Sequence, residues 1–185
     1  MNEAIFTQLQ KEMDGSVGAL RKELTKLRTG RASTALLDHI LVDYYGASTP
    51  LNQLATLSAP EPRLLVIQPF DRSAMGEIEK AILKSDLGLT PSNDGKIIRI
   101  PIPQLTEERR KELVKHVKKI AEEYRVSVRN HRRVAIEQLK DFEKKKEITA
   151  DDAKHGQDRV QKITDDFIGR IDKVVKAKEE EVMAV

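Results

Sequence analysis

The stretch from Thr106 to Glu147 constrains the fold of this chain most, because it contains neither glycine nor proline. Apolar or ring-bearing side chains recur along it about every 3.6 residues, which keeps them on one face of a straight helix. They are Leu113, Val117, Ile120, Tyr124, Val128, His131, Ala135, Leu139 and Phe142. A helix of about forty residues is roughly 60 Å long. We therefore expect its apolar face to require partner helices.

A second stripe on the same stretch is basic. Residues 109–146 include 14 Lys or Arg and 6 Asp or Glu, a local charge of +8. The arginines of the stripe, spaced as neighbours on one helix face, are Arg125, Arg129 and Arg132, with Arg133 and Lys140 close by. One interpretation is a solvated helix face. The other is a phosphate-binding face, since the planar and permanently charged guanidinium group suits phosphate.

Two more helices are predicted, over residues 2–28 and 150–183. In the first, apolar residues step by three and four, at Ile5, Leu9, Met13, Val17, Leu20, Leu24 and Leu27. The last begins with Thr149 as N-cap and Asp152 at the position of a capping box. Its expected inner face consists of Ala153, Gly156, Val160, Ile163, Phe167, Ile171, Val174 and Val182. Together the three helices predict an antiparallel bundle.

Between the first two helices the pattern changes, and all seven prolines of the chain lie between residues 50 and 103. Short β-branched or aromatic runs predict strands, at Ile40–Tyr45, Leu64–Ile67 and Ile97–Ile100, with Asn52–Leu57 as a weaker candidate. The Ser-Asn-Asp-Gly sequence at 92–95 predicts a hairpin of Leu89–Pro91 with Lys96–Ile100. One helix is expected over Ala74–Lys84, with Ser73 or Asp71 as N-cap and Ile78, Ile82 and Leu83 buried.

These patterns predict an α+β chain of two domains. Residues 1–30 and 105–185 are expected to form the three-helix bundle, and residues 31–104 a small α+β domain inserted into it. The chain passes between the domains twice, and two adjacent crossings make a hinge possible. The candidate hinge residues are Thr29, Gly30, Pro103, Gln104 and Leu105.

The composition argues against several function classes. The chain has no cysteine, so it has no disulfide or thiolate metal site, as fits a reducing cytosol. The four histidines show no helical metal-ligand spacing, and a lone histidine such as His131 on an apolar face is more often packed than a ligand. Fingerprints of P-loop, dinucleotide-binding and serine-hydrolase sites are absent. We therefore expect no catalytic residues, metal or cofactor, and any energy-driven step would need a separate NTPase. No secretory signal or membrane span is expected either.

Several motifs in this order resemble the bacterial ribosome recycling factor family over essentially the whole chain. They are LRTGRAS at 27–33, VDYYG at 42–46, FDRS at 70–73, IEKAI at 78–82, SDLGL at 85–89, IRIPIPQLTEERRKEL at 98–113 and VSVRNHRR at 126–133. The resemblance implies a three-helix bundle with an inserted β/α/β domain, L-shaped overall. It also implies a non-enzymatic, cytoplasmic factor that binds the large ribosomal subunit and its rRNA after termination. With elongation factor G and GTP hydrolysis by that partner, such a factor splits the ribosome into subunits, and initiation factor 3 keeps them apart.

The resemblance also suggests which residues contact rRNA. The arginines of the LRTGR and VRN-RR motifs correspond to Arg28, Arg31, Arg129, Arg132 and Arg133, and Arg132 is the strongest candidate. The residues themselves mark only the 125–133 cluster, since Arg28 and Arg31 equally suit an ordinary helix end. The chain departs from many relatives at Thr34, His131 and Val134, where a proline, an aliphatic residue and an aspartate are common.

Two other function classes compete with a translation factor. One is a coiled-coil-like adaptor, which would dimerise through its apolar stripes, whereas an intramolecular bundle should remain monomeric. The other is an enzyme in the small domain, for which the sequence offers no nucleophile–base or metal spacing.

Tyr44 and Tyr45 could stack on bases, but packing at the end of a strand is the simpler role for at least one of them.

Overall fold

The computed structural model describes residues 3–184, which form two compact units. One contains the residues up to Leu27 and those from Glu107 onward, and the other is the inserted segment Arg28–Thr106. The predicted α+β class, with a helical bundle and an inserted mixed domain, is confirmed. Residues 1, 2 and 185, which the predicted ranges include, lie outside the described residues.

The elements follow one another along the chain in five helices and six strands among the described residues. The helices are α1 (Glu3–Thr25), α2 (Leu51–Leu54), α3 (Met75–Lys84), α4 (Glu107–Lys144) and α5 (Ala150–Met183). The strands are β1 (Leu41–Tyr44), β2 (Ala47–Pro50), β3 (Ala55–Glu61), β4 (Leu64–Pro69), β5 (Ser92–Asn93) and β6 (Ile98–Pro101). Short 3₁₀ turns at Thr34–Leu37 and Arg72–Ala74 precede β1 and α3.

The bundle is formed by α1, α4 and α5, and its side-chain contacts give the helix directions. Arg125 and Arg132 of α4 bind Asp172 and Gln161 of α5, so these helices run antiparallel. Glu12 of α1 contacts His131 of α4, and Glu23 of α1 contacts Tyr124, so α1 also runs antiparallel to α4. Burial of the three apolar stripes against one another supplies the main stabilising energy.

The predicted apolar stripe of α4 faces this core. Leu113, Val117, Ile120, Val128, Ala135 and Leu139 are buried, and Tyr124 and Phe142 pack against the core while partly exposed. His131 marks the edge of the stripe. Its Nδ1 lies 3.1 Å from Glu12 Oε2, and its Nε2 lies 3.5 Å from Ser16 Oγ. It therefore takes part in a polar contact between α1 and α4, at the margin of the core.

The start of α5 follows the predicted capping box. The Thr149 hydroxyl accepts the N–H of Asp152 at 3.1 Å, and the Asp152 carboxylate accepts the N–H of Thr149 at 3.2 Å. Most of the predicted inner face of α5 is buried, but towards its end Val175 is buried and Val174 only partly. Gly156 allows close packing of α5 on α4, since a Cβ there would lie 3.0 Å from a methyl carbon of Leu139.

The inserted unit contains two antiparallel sheets. β1 and β2 form a two-stranded hairpin, and the other four strands form a sheet in the order β3-β4-β6-β5. Leu65 and Ile67 of β4 and Ile98 and Ile100 of β6 are fully buried at alternate positions, so one face of the larger sheet is covered. The short α3 supplies buried residues to the same core.

Neither predicted residue caps α3 itself, because the helix begins after Ala74, which makes no side-chain cap. Asp71 caps the 3₁₀ turn that leads into the helix, and its Oδ1 accepts the N–H of Ser73 at 2.9 Å. The predicted burial of Leu83 is wrong, because this side chain is 62% exposed. The buried face of α3 instead contains Met75, Ile78 and Ile82, and Leu83 projects about 100° away from Ile82.

Two strand predictions need correction. The first strand of the second hairpin is β5, where Ser92 and Asn93 pair with Arg99 and Ile98, instead of Leu89–Pro91. The turn is displaced because Asp94 Oδ1 accepts the N–H groups of Lys96 and Ile97. The weaker candidate Asn52–Leu57 is helical at its start. Leu51 and Leu54, spaced for one helical turn, are both buried, and β3 begins only at Ala55.

The borders of the two units differ slightly from the predicted ranges. The structure groups residues 28–30 and 105–106 with the inserted unit, whereas the prediction placed them in the bundle. Contacts inside the inserted unit explain the difference. Arg28 donates to the carbonyl groups of Asp86 and Leu87, and the side chain of Leu105 packs against Gly30.

Candidate nucleic-acid interface

The basic stripe of α4 lies on the flank of the helix that faces α5, and its arginines differ in what they bind. Arg125 is held by acidic groups: its Nε and Nη2 donate to Asp172 Oδ1 at 3.1 and 2.7 Å, and its Nη1 donates to Glu122 at 3.3 Å. Burial alone would lower the pKa of Arg125, but the bonds to Asp172 and Glu122 outweigh burial and raise it. Arg125 therefore fastens α4 to α5 and is the arginine of the stripe least available to an external anion.

Arg129 has one acidic partner, on its own helix. Its Nη1 donates to Glu122 Oε1 at 2.9 Å, and its side chain is 41% exposed. The guanidinium groups of Arg129 and Arg125 hold the pKa of Glu122 below its ordinary value. Because an exposed ion pair of this kind contributes only about 0–1 kcal/mol, a phosphate group could replace Glu122 at little cost.

Arg132 binds a neutral group instead. Its Nη1 donates to the side-chain carbonyl of Gln161 at 3.2 Å, and the amide of Gln161 donates to Asp165 Oδ1 at 2.8 Å. Arg132 makes no ion pair within 4.0 Å among residues 3–184. Its charge is therefore not neutralised by a contacting carboxylate.

Arg133 is exposed at the outer edge of the stripe. In the part of the chain that the structure describes, its side chain has no carboxylate partner, and the same holds for the exposed Lys140. Arg132 and Arg133 thus present two guanidinium groups whose charge no contacting acid offsets, on a rigid helix. Such an arrangement can bind phosphate oxygens, which accept charge-assisted and bidentate hydrogen bonds from arginine.

The two remaining candidate arginines belong to the inserted unit. Arg28 Nη1 donates to the carbonyl of Leu87 at 2.9 Å, and its Nη2 donates to the carbonyl of Asp86 at 3.2 Å. This guanidinium group closes the loop after α3, a role inside the unit that the sequence did not suggest. Arg31 is exposed. The structure thus places Arg129, Arg132 and Arg133 together on α4, and Arg28 and Arg31 in the other unit.

The candidate hinge residues lie at the ends of the inserted segment. Gly30 has a φ of +77°, and a Cβ on it would lie 3.0 Å from the side chain of Leu105, so this position favours glycine twice over. Thr29 is buried. Next to the hinge residues at both ends of the inserted segment, the backbone is tied to one turn. The Ala32 N–H donates to the carbonyl of Pro62, and the Ile102 N–H donates to the carbonyl of Arg63.

The partners that distinguish the arginines were missed by sequence reasoning. Glu122 could have been found, because it lies three and seven residues before Arg125 and Arg129 on one helix. Asp172 and Gln161 could not, because their contacts depend on the register between α4 and α5. No group of acidic or histidine side chains that could hold a metal ion is present in residues 3–184. Over the same residues, no helix is long and apolar enough to cross a membrane.

Comparison with known proteins connects this geometry to a family. A family model described as ribosome recycling factor matches residues 20–183. The ribosome-recycling factor of Carboxydothermus hydrogenoformans is 56% identical over 185 residues, covering 100% of both chains. That of Bacillus subtilis (strain 168) is 54% identical over 185 residues, again with 100% of each chain covered.

Solved structures of ribosome recycling factors also match this chain. A solution structure of a ribosome recycling factor matches with a TM-score of 0.75 and 46% identity, covering 99% of this chain and 97% of the other. A second matching chain comes from a structure of the T. thermophilus ribosome recycling factor and the E. coli elongation factor G bound to the E. coli post-termination complex. It has a TM-score of 0.64 and 48% identity, with 98% of each chain covered.

Proposed function

The chain belongs to the ribosome recycling factor family, and on that premise we propose that it acts with elongation factor G on the post-termination ribosome. GTP hydrolysis by that partner drives splitting into subunits and release of mRNA and tRNA. As a member of this family the chain is a non-enzymatic translation factor. Its part is to bind the ribosome and to transmit the force that the GTPase supplies.

The observation that carries this proposal is the uncompensated charge of Arg132 and Arg133 on α4. rRNA presents a dense array of phosphates, and contacts to phosphate position a protein without reading base sequence. We propose that Arg132, Arg133 and Arg129 bind rRNA of the large ribosomal subunit. Arg129 would exchange Glu122 for phosphate on binding. Arg28 and Arg31 are secondary candidates, and Arg28 would have to give up its carbonyl partners to take part.

The inserted unit has a different role in the proposal. With 8 basic and 8 acidic residues in 28–106 it has no net charge, so it is poorly suited to bind a polyanion on its own. We propose that it moves about Thr29, Gly30, Pro103, Gln104 and Leu105 when elongation factor G acts on it. The anchoring of Ala32 and Ile102 to the adjacent residues Pro62 and Arg63 supports this, because both chain crossings then leave the inserted unit side by side.

The remaining features fit a factor that binds the ribosome as a monomer. The apolar stripes of α1, α4 and α5 cover one another within a single chain, which supports a monomer. In the cytoplasm, initiation factor 3 would keep the separated subunits apart. Because initiation factor 3 does not split the ribosome itself, the loss of initiation factor 3 should allow the subunits to reassociate without preventing their first separation.

The test is the breakdown of post-termination 70S complexes, followed by light scattering. We expect splitting only when this protein, elongation factor G and GTP are all present. Arg132→Ala should reduce affinity for the large subunit about tenfold, the loss of one charge-assisted contact. Its unfolding free energy should stay within about 0.5 kcal/mol of the wild-type value. Arg21→Ala, at an exposed position on α1, is the matched control and should bind normally. Splitting without the GTPase, or wild-type affinity of Arg132→Ala, would contradict the proposal.

A further inference from the structure

We propose that Gln161 is a positioning residue for Arg132: it orients the guanidinium group from α5 while leaving its charge free for rRNA. The inference rests on the proposed function of Arg132 and adds a residue on another helix to it. The two hydrogen bonds that carry it run from Arg132 Nη1 to Gln161 Oε1 and from Gln161 Nε2 to Asp165 Oδ1.

The second bond determines which end of the Gln161 amide faces the arginine. A carboxylate can only accept hydrogen bonds, so Asp165 must receive the NH₂ end of Gln161. The carbonyl end is then left to point at Arg132. Gln161 and Asp165 are four residues apart on α5 and lie on the same helix face, which keeps this polarity in place as long as the helix is intact.

A neutral acceptor at this position has a consequence that an acidic one would not have. The guanidinium group has five N–H donors, and the 3.2 Å bond to Gln161 engages only Nη1. The group is held in position but keeps its remaining donors and its full charge. An acidic side chain in place of Gln161 would form an ion pair that rRNA phosphate would have to break.

The same helix pair contains the contrasting case. In one part of the α4–α5 contact, Arg125 binds Asp172 of α5 and also Glu122 of its own helix. These carboxylates accept three hydrogen bonds from Arg125, whose side chain is only 22% exposed. The other part joins Arg132 to an amide. Arg125 and Arg132 lie seven residues apart, on nearly the same face of α4. The chemistry of the partner on α5 therefore separates a structural arginine from an available one.

The test compares substitutions that change the partner and leave Arg132 in place. Gln161→Glu keeps the size of the side chain and should pair with Arg132. The affinity for large ribosomal subunits should fall about three- to tenfold. The slope of log affinity against log salt concentration should also become less steep by about 0.7–0.9, the value of one phosphate contact. Gln161→Met keeps the length but removes the acceptor. It should weaken binding about two- to threefold with an unchanged salt dependence, because the charge of Arg132 remains.

Two controls keep the result interpretable. Gln10→Glu makes the same charge change at an exposed position of α1 and should bind as the wild type does. Adding Gln161→Glu to Arg132→Ala should cause no further loss of affinity for the large subunit, since the arginine that residue 161 orients is absent. If Arg132→Ala weakens binding but Gln161→Glu behaves like Gln10→Glu, or if the two losses simply add, the role of Gln161 is wrong and the function of Arg132 stands. If Arg132→Ala itself binds normally, the proposed function fails instead.

Discussion

Acidic side chains serve different purposes at Glu122 and Asp172 of the bundle and at Asp71 and Asp94 of the inserted unit. In the bundle, Glu122 and Asp172 bind arginines of α4 and so decide which of them remain available. In the inserted unit the acids hold turns. Asp71 accepts from Ser73 and from the Tyr44 hydroxyl, and Asp94 accepts two backbone N–H groups. Glu122 and Asp172 thus shape a charged surface, whereas Asp71 and Asp94 hold backbone structure.

The distribution of charge follows the same division. Because the inserted unit is neutral, the net charge of +3 of the whole chain lies in the bundle ranges. The net positive charge that favours binding to RNA therefore lies in the bundle. The inserted unit depends instead on local hydrogen bonds for its shape, and four pairs of substitutions can test this contrast.

The largest effect should come from the core of the inserted unit, and it tests whether the two units are stable independently. Leu65 is fully buried in β4, and a Leu→Ala change at such a site costs about 2–5 kcal/mol. We expect Leu65→Ala to lower the unfolding temperature of the inserted unit while the bundle amides keep their protection in hydrogen exchange. Leu20→Ala, at a fully buried site of α1, should show the reverse. Equal loss of protection in both units by either variant would show one cooperative fold.

Glycine replacement should have opposite signs in the two units. In Gly30→Ala, the methyl group would meet Leu105 at 3.0 Å at a φ of +77°. We expect the inserted unit to lose about 1–2 kcal/mol of unfolding free energy. Gly15 lies inside α1 with open space around it, so Gly15→Ala should stabilise the bundle by about 0.5–1 kcal/mol. Chemical denaturation of both variants measures the difference, and changes of the same sign would contradict it.

The contrast between the units also explains how far sequence reasoning reached. The helices of the bundle were predicted well because their periodicity is local: the stripe of α4 and the capping box of Thr149 and Asp152 need no knowledge of the rest of the chain. In the inserted unit, the position of β5 and the exposure of Leu83 depend on pairing and packing with distant residues. Local patterns do not contain that information.

At the candidate interface, too, local sequence patterns do not contain the contacts between distant residues. Helical spacing places Arg125, Arg129 and Arg132 on one stripe and treats them alike. What separates them is the register of α4 against α5, which sets Asp172 beside Arg125 and Gln161 beside Arg132. A face can therefore be predicted from one helix, but the availability of each side chain on it requires the second helix.

A smaller effect is expected from two residues with left-handed backbone, one in each unit. Among the described non-glycine residues, Tyr45 and Lys146 have positive φ, at 48° and 57°. Asparagine tolerates this conformation better than either. We expect Tyr45→Asn to stabilise the inserted unit by about 0.5 kcal/mol, although it loses the exposed hydroxyl contact with Ser73. Lys146→Asn should stabilise the bundle by a similar amount, and calorimetry of the two transitions would show it. The Tyr45 ring packs edge-to-face on that of Tyr44, with 4.6 Å between the ring centroids. A lower transition temperature for Tyr45→Asn would mean that this contact outweighs the strain.

The smallest effect concerns Asp94, and it should appear only as a pH dependence because this carboxylate is exposed and screened by solvent. The N–H groups of Ile97 and Lys96, together with the guanidinium of Arg99, hold the pKa of Asp94 well below its ordinary value. The unfolded chain therefore binds this proton more readily than the folded one. The stabilisation is complete above about pH 4 and is lost as the pH falls through the folded pKa.

Asp94→Asn removes that pH-dependent contribution. We expect the transition temperature of the inserted unit to differ between the variant and the wild type at pH 6, and the difference to shrink towards pH 2. Asp38→Asn makes the same charge change at an exposed position of the same unit, and it serves as the control for net charge. If both variants follow parallel pH profiles, the turn does not depend on the charged form of Asp94. If only Asp94→Asn converges with the wild type in acid, the Asp94 carboxylate supports backbone structure, whereas Glu122 and Asp172 of the bundle bind arginines.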